Sequence, residues 1–198
     1  MLVRIHSVIP YTHDNVMYFT SILLAYFACM RSAEYCPSAR VGPPLTPQAI
    51  QFVDSSVPYM IVRVPTSKTQ PKGYSVVVGC SGTPVCSLCW MKHFMSIRDA
   101  SPNSPLFVTK AGLSLTHSML TKAIRAFLEQ AGYPPRPYTP HSLRAGSATD
   151  AAQSGAPDSA VQRLGRWQSS AFTAYLRPSQ LQEALVAGRL AAGQGPPP

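Results

Sequence analysis

Pro140-His141-Ser142-Leu143-Arg144 sets an imidazole and a guanidinium three residues apart. On a helix that spacing projects both from one face, an arrangement suited to a phosphate or a carboxylate. Such pairs also decorate solvated helices, so this one needs company before it means anything. Further on, Leu164-Gly165-Arg166-Trp167 is followed by Tyr175, nine residues after Arg166. Gly165 reads as a helix C-cap, which would leave Arg166 and Trp167 at a junction with their donors outward. Tyr175 would end a short helix begun at Ser169 or Ser170, and taken singly it reads as a core or rim aromatic. Upstream, Arg31 closes a run of 16 uncharged residues that starts after Asp14. Glu34, three residues on, is spaced to orient it, although a helix-end arginine with a local ion pair has the same signature. Lys68 lies in Ser67-Lys68-Thr69, at the tip of an expected hairpin. A mobile tip can carry a cation to a site built elsewhere, or simply hold it in water.

These groups need a scaffold, and the sequence supplies one. Helices are expected at 15–35, 86–98, 116–131, 140–153, 157–165, 169–176 and 178–191. Pro140, Pro157 and Pro178 each stand where a first helical turn accepts proline. Ile50–Val53 reads as a short strand. Tyr59–Val64 and Tyr74–Val78, rich in β-branched residues, flank the polar turn from Pro65 to Gly73 as a hairpin. The fold class is therefore mainly α with a small three-stranded antiparallel sheet (α+β). Residues 1–192 form one domain in this reading and 193–198 a disordered tail. Leu181, Leu185, Val186 and Leu190 give the last helix an apolar stripe, which packs on its own domain more readily than on a neighbouring protomer.

The 198 residues, 45% of them hydrophobic, suffice for one domain with a real core but not for two. That apolar share excludes highly charged disorder. Seventeen Lys and Arg against eight Asp and Glu give a net charge of +9, which points to a polyanion, nucleic acid before acidic membrane. Five cysteines at irregular spacing argue against a secreted disulfide framework and for a reducing, intracellular compartment. The uncharged run falls short of the about 20 apolar residues a membrane span needs, and Asp14 spoils it as a signal peptide. A buried helix fits it better.

Cys86-x-x-Cys89-x-x-x-His93, with Cys80 upstream, has the ligand types of a zinc site. The competing reading is an amphipathic helix over Val85–Ile97, with Trp90, Phe94 and Met95 facing the core and the thiols buried. The second is preferred, so no metal is expected.

Taken in order, Arg31, Lys68, His141-x-x-Arg144, Leu164-Gly165-Arg166-Trp167 and Tyr175 resemble the catalytic parts of the tyrosine recombinases, the phage-integrase-like enzymes. The likeness covers about residues 20–178 and is strongest over 139–178. Leu164-Gly165-Arg166-Trp167-Gln168-Ser169-Ser170-Ala171-Phe172, with Tyr175-Leu176-Arg177-Pro178, is similar in particular to recombinases of DIRS-type retrotransposons and crypton-like eukaryotic mobile elements.

The resemblance implies the catalytic domain fold of that family and DNA cleavage and rejoining through a 3′-phosphotyrosyl intermediate. Tyr175 would attack the scissile phosphate, Arg31 and Arg144 would clamp it, and His141 would accept the tyrosine proton or hold the phosphate. Lys68 would protonate the departing 5′-oxygen, with Glu34 as an acidic support. The family usually has His or Trp nine residues before the tyrosine; Arg166 has that spacing and Trp167 is one residue closer, so the two share the role. The chemistry coheres: a metal-free phosphodiester cleavage needs a nucleophile, cations for the non-bridging oxygens and an acid for the leaving group.

No cofactor is implied. The implied partner is double-stranded DNA, with room for a homo-oligomer, a tetramer on DNA, through the C-terminal helix. The implied location is the nucleus, and no membrane is involved. The family's N-terminal core-binding domain is expected to be absent, which leaves open a truncated or domesticated DNA-binding module without catalysis. A type IB topoisomerase-like relaxation of DNA uses the same active-site logic.

Overall fold

The computed structural model describes residues 1–38, 42–136 and 138–176. The uncharged run becomes helix α2, His13–Phe27, after a short α1, Leu2–His6, that the sequence reading passed over. Thr12 starts α2, its Oγ1 accepting the Asn15 N–H at 3.3 Å. Val16, Met17, Phe19 and every residue from Thr20 to Ala25 are buried, so α2 has apolar contact nearly all round. Among the described residues no helix is long and apolar enough to cross a membrane.

The helix expected over 15–35 stops early. Ala28 caps α2, Cys29 enters the left-handed region at φ 48°, and Ser32–Glu34 forms a single 3-10 turn. The break has a local cause. The Glu34 carboxylate accepts the Arg31 backbone N–H at 2.8 Å, a bond that competes with helix continuation.

The sheet follows the β-branched pattern. Strands β1 (Ile50–Val53), β2 (Tyr59–Val64) and β3 (Tyr74–Gly79) pair antiparallel in the order β1-β2-β3. Ile50 faces Val62 across the first ladder, and Val64 faces Tyr74 across the second. Met60, Val62 and Val64 are buried in alternation, which fixes one face on the core.

Four helices complete the domain: α3 (Ser87–Ile97), α4 (His117–Gln130), α5 (Pro140–Gln153) and α6 (Asp158–Gly165). Helix α4 buries Leu120, Ala123, Ile124, Phe127 and Leu128, a stripe at helical spacing, and Thr116 caps it by accepting the Met119 N–H at 3.2 Å. Pro140 occupies the first turn of α5 as expected, but Pro157 caps α6 from outside, leaving Asp158 to begin it. The helix expected over 169–176 is a 3-10 helix, Ser170–Tyr175. It is pinned at one end where the Ser169 hydroxyl accepts the Ala171 N–H at 3.3 Å, and six residues suit this tighter form. The helix expected over 178–191, Arg177 and the tail at 193–198 lie outside the described residues.

The outcome is the anticipated mainly helical domain with a three-stranded antiparallel sheet. Helix α2 packs against α3, α4 and α5 in the main core. Ala148, Val161 and Phe172 form a smaller core between α5, α6 and the 3-10 helix, with Trp167 and Tyr175 packed against it. Helix α5 belongs to both cores, and Arg144 sits on it at the seam.

Candidate active site

At the end of α2 the backbone turns sharply, and the carbonyls of Ala28 and Cys29 project without helical partners. Two arginines from far along the chain meet them. Arg166 donates from Nη1 to Ala28 at 3.0 Å and from Nη2 to Cys29 at 2.9 Å. Arg144, only 2% exposed, donates from Nη1 to the same Cys29 carbonyl and from Nη2 to the Gly165 carbonyl. The turn that ended the expected long helix is therefore the anchor of the site.

Glu34 supplies the counter-charge. Its side chain is fully buried, with Arg31 Nη1 at 3.2 Å and Arg166 Nη2 at 3.7 Å. A buried carboxylate needs such company, since an unpaired one costs several kcal/mol or more. Arg31 is the most open of the three arginines, with 28% of its side chain exposed. Burial lowers the pKa of Arg144, yet an arginine keeps its charge in any protein site. Arg166 has a buried Nε–H with no hydrogen-bond partner among the described residues.

The second half of the site is aromatic. The Trp167 indole lies under the Arg144 guanidinium at 4.4 Å and beside the Tyr175 ring at 5.4 Å. His141, exposed at the start of α5, has its ring 5.5 Å from that of Tyr175. A cleft of ≈ 570 Å³ opens there, lined by Tyr138, His141, Ser142, Gly146, Asp150 and Tyr175 among others. Contacts thus run without a gap from Arg31 through Glu34, Arg166, the Cys29 carbonyl, Arg144 and Trp167 to Tyr175 and His141. Arg166 and Trp167 share the site but have different neighbours. One faces the carboxylate and the other the tyrosine.

Gly165 is not the cap the sequence suggested. It is the last residue of α6, and Arg166 takes the left-handed position at φ 57°. Glycine is required at 165 for another reason: the Trp167 ring lies where a Cβ would stand.

Lys68 is exposed in a tight turn closed by reciprocal backbone bonds between Ser67 and Gln70, at 3.1 and 3.2 Å. No hydrogen bond or ion pair joins it to the arginine cluster among the described residues. The hairpin is tied to the cluster lower down, where the Tyr74 ring packs beneath the Arg166 guanidinium at 4.3 Å. Burial, then the Glu34 charge, hold the Tyr74 phenol well above its usual pKa. Tyr74 was not anticipated, because a strand tyrosine carries no sign of what it will face. The Cys29 carbonyl was also missed, and only the placement of Arg31 after an uncharged run hinted at it. Arg63, Lys72, Lys92, Lys110, Lys122, Arg125, Arg136 and Arg163 are exposed.

The sequence profile of the phage integrase family matches residues 50–181, a span that begins after Arg31 and Glu34. No curated protein sequence matches the chain. Among solved structures, the XerH site-specific recombinase bound to palindromic difH substrate, in a post-cleavage complex, is 18% identical with a TM-score of 0.73. That match covers 96% of this chain and 50% of XerH. XerA recombinase is 20% identical with a TM-score of 0.67, over 96% of this chain and 61% of XerA. The FLP recombinase of a Holliday junction complex is 14% identical with a TM-score of 0.59, over 92% and 44%. At these identities the likeness is one of fold. The chain spans about half the length of these structures.

Proposed function

The chain belongs to the phage integrase family, and from that membership we propose that it breaks and rejoins DNA strands through a 3′-phosphotyrosyl link on Tyr175. The observation that carries the proposal is the unbroken line of contacts from Arg31 to Tyr175 and His141, assembled from segments far apart in sequence. A structural ion pair has no need of a half-buried tyrosine in ring contact with an indole and an imidazole.

In the proposed step the Tyr175 Oη–phosphorus bond forms as the phosphorus–O5′ bond breaks. His141 takes the phenolic proton or holds a phosphate oxygen. Arg31 and Arg144 face the non-bridging oxygens with planar forks that lysine could not reproduce. Two of the five N–H donors of Arg144 are spent on carbonyls, which fixes the plane of the remaining three. Glu34 and Tyr74 hold Arg166, and Trp167 supports both Arg144 and Tyr175. Lys68, on the hairpin anchored by Tyr74, protonates the departing 5′-oxygen. The partner is double-stranded DNA, drawn in by the net charge of +9, and assembly of several copies on the DNA is part of the proposal. Leu164 to Phe172 and the residues after Tyr175 favour the eukaryotic mobile-element branch, and nuclear residence belongs to that reading.

The test is covalent trapping. The chain is mixed with end-labelled nicked duplex in excess EDTA, so that the short 5′-hydroxyl strand diffuses away after cleavage. A protein-linked DNA band on a denaturing gel is the expected result. A folded chain that binds the duplex and never forms the band would overturn the proposal. Lys68→Ala should slow trapping by about 10²–10⁴-fold, the usual worth of a positioned acid. The same variant should regain nearly the wild-type rate on DNA whose bridging 5′-oxygen is replaced by sulfur, because a thiolate leaves without a proton. A defect that persists on the sulfur substrate would assign Lys68 another task.

A further inference from the structure

The amphipathic pattern of α3 predicts buried thiols for the cysteines after β3, and the structure differs. Cys89 is exposed and Cys80 half-buried, and only Cys86 is enclosed. The three come together although Cys80 leaves the sheet and the other two open α3. The Sγ atoms of Cys80 and Cys86 are 3.6 Å apart, those of Cys80 and Cys89 4.0 Å, and all three lie within 4.8 Å of one another. Tetrahedral zinc with thiolates at about 2.3 Å places its sulfurs about 3.8 Å apart. The observed separations bracket that edge, and they are far beyond the about 2.0 Å of a disulfide.

We infer that Cys80, Cys86 and Cys89 form a binding site for one thiophilic divalent cation of the zinc class. The local chain is shaped for it. Gly82, at φ 64°, takes the left-handed conformation in the loop between Cys80 and α3. Cys86 is the N-cap of α3 and Cys89 lies in its first turn, where the positive end of the helix favours thiolates. An odd number of thiols cannot all be consumed by disulfide pairing, whereas three thiolates and one further ligand complete a tetrahedron. The fourth place goes to a water on the exposed Cys89 side. His93, one turn beyond Cys89, is outside the three-thiol group, and its ring lies against Tyr11 at 5.3 Å. The cation would staple the end of β3, the strand that begins with Tyr74, to the start of α3. The site stands independently of the DNA chemistry.

The reduced, metal-free chain is titrated with cobalt(II), followed by thiolate-to-metal charge transfer, and then with zinc against a chromophoric chelator. One equivalent should bind at micromolar affinity or tighter, with proton release and a rise in melting temperature. Cys89→Ser changes an exposed residue and should still fold. It and Cys80→Ser should weaken binding beyond the about 10–100-fold that outer partners of a metal cost. Cys36→Ala, away from the cluster, should leave the stoichiometry unchanged. A wild-type chain that develops no thiolate–cobalt band, or a Cys89→Ser chain that keeps the full band, overturns the site. His93→Ala should leave the band intact; its loss would overturn the assignment of the fourth place to water.

Discussion

Gly165→Ala is expected to remove nearly all strand-cleaving activity although the residue donates nothing from a side chain. A Cβ at 165 would overlap the six-membered ring of Trp167 outright. The indole must then leave a place where it supports the Arg144 guanidinium at 4.4 Å and the Tyr175 ring at 5.4 Å. Overpacking of this kind costs about 1–3 kcal/mol of stability. The kinetic penalty is larger, since a displacement of about 1 Å at a reacting group can cost about 10²-fold. Here the proposed nucleophile and the arginine proposed to face the phosphate lose the same support, so a fall of about 10³-fold in the trapping rate is expected. The double variant Gly165→Ala/Trp167→Ala separates the two effects. It should recover stability in urea denaturation relative to Gly165→Ala, because the clash is gone, without recovering rate. A single Gly165→Ala chain that cleaves like wild type would mean that Trp167 does not position Tyr175.

Arg144→Ala should fail on both counts. The side chain is buried and bonded to the carbonyls of Cys29 and Gly165. Cys29 keeps Arg166 as a donor at 2.9 Å, but Gly165 is left with an unpaired buried carbonyl, at about 1–3 kcal/mol. With the cavity left behind, a loss of about 2–5 kcal/mol is expected from the denaturation midpoint. Cleavage should fall by at least the about 10²–10³-fold that one stabilising donor supplies. Arg144→Lys is the informative companion. It keeps the charge and much of the volume but cannot serve two carbonyls and a phosphate in one plane, so it should regain stability without regaining rate. Equal recovery of both would reduce Arg144 to a structural cation.

The sheet was legible because alternation and β-branching are local signals, and β1 and β2 fall on the residues expected. Helix α4 was legible for the same reason at another period. The end of α2 was not, because the bond from the Arg31 N–H to Glu34 depends on a side chain choosing the backbone over solvent. Gly165 was noticed for the wrong reason: a glycine near a helix end looks like a cap, and nothing local says that Trp167 will fold back over it. The sequence also leaves Arg166 and Trp167 sharing one role, and their different neighbours appear only when α2 and α5 are packed together. Lys68 is legible as a hairpin residue, but composition does not say how its turn lies, and among the described residues it makes no hydrogen bond or ion pair with the arginine cluster. The three thiols show the limit most plainly. C-x-x-C spacing raised the idea of zinc, and a helical stripe with Trp90 and Phe94 argued it down. The same helix buries Trp90 and Phe94 and brings Cys86 and Cys89 beside Cys80.

The most direct measurement identifies the residue that carries the DNA. The trapped complex is digested with nuclease and protease, and the nucleotide-bearing peptide is sequenced by mass spectrometry, beside a Tyr175→Phe chain treated identically. The expected result is a 3′-phosphonucleotide on Tyr175, and no adduct in a Tyr175→Phe chain that folds and binds DNA as wild type does. An adduct on any other residue, or one that persists in Tyr175→Phe, would contradict the account.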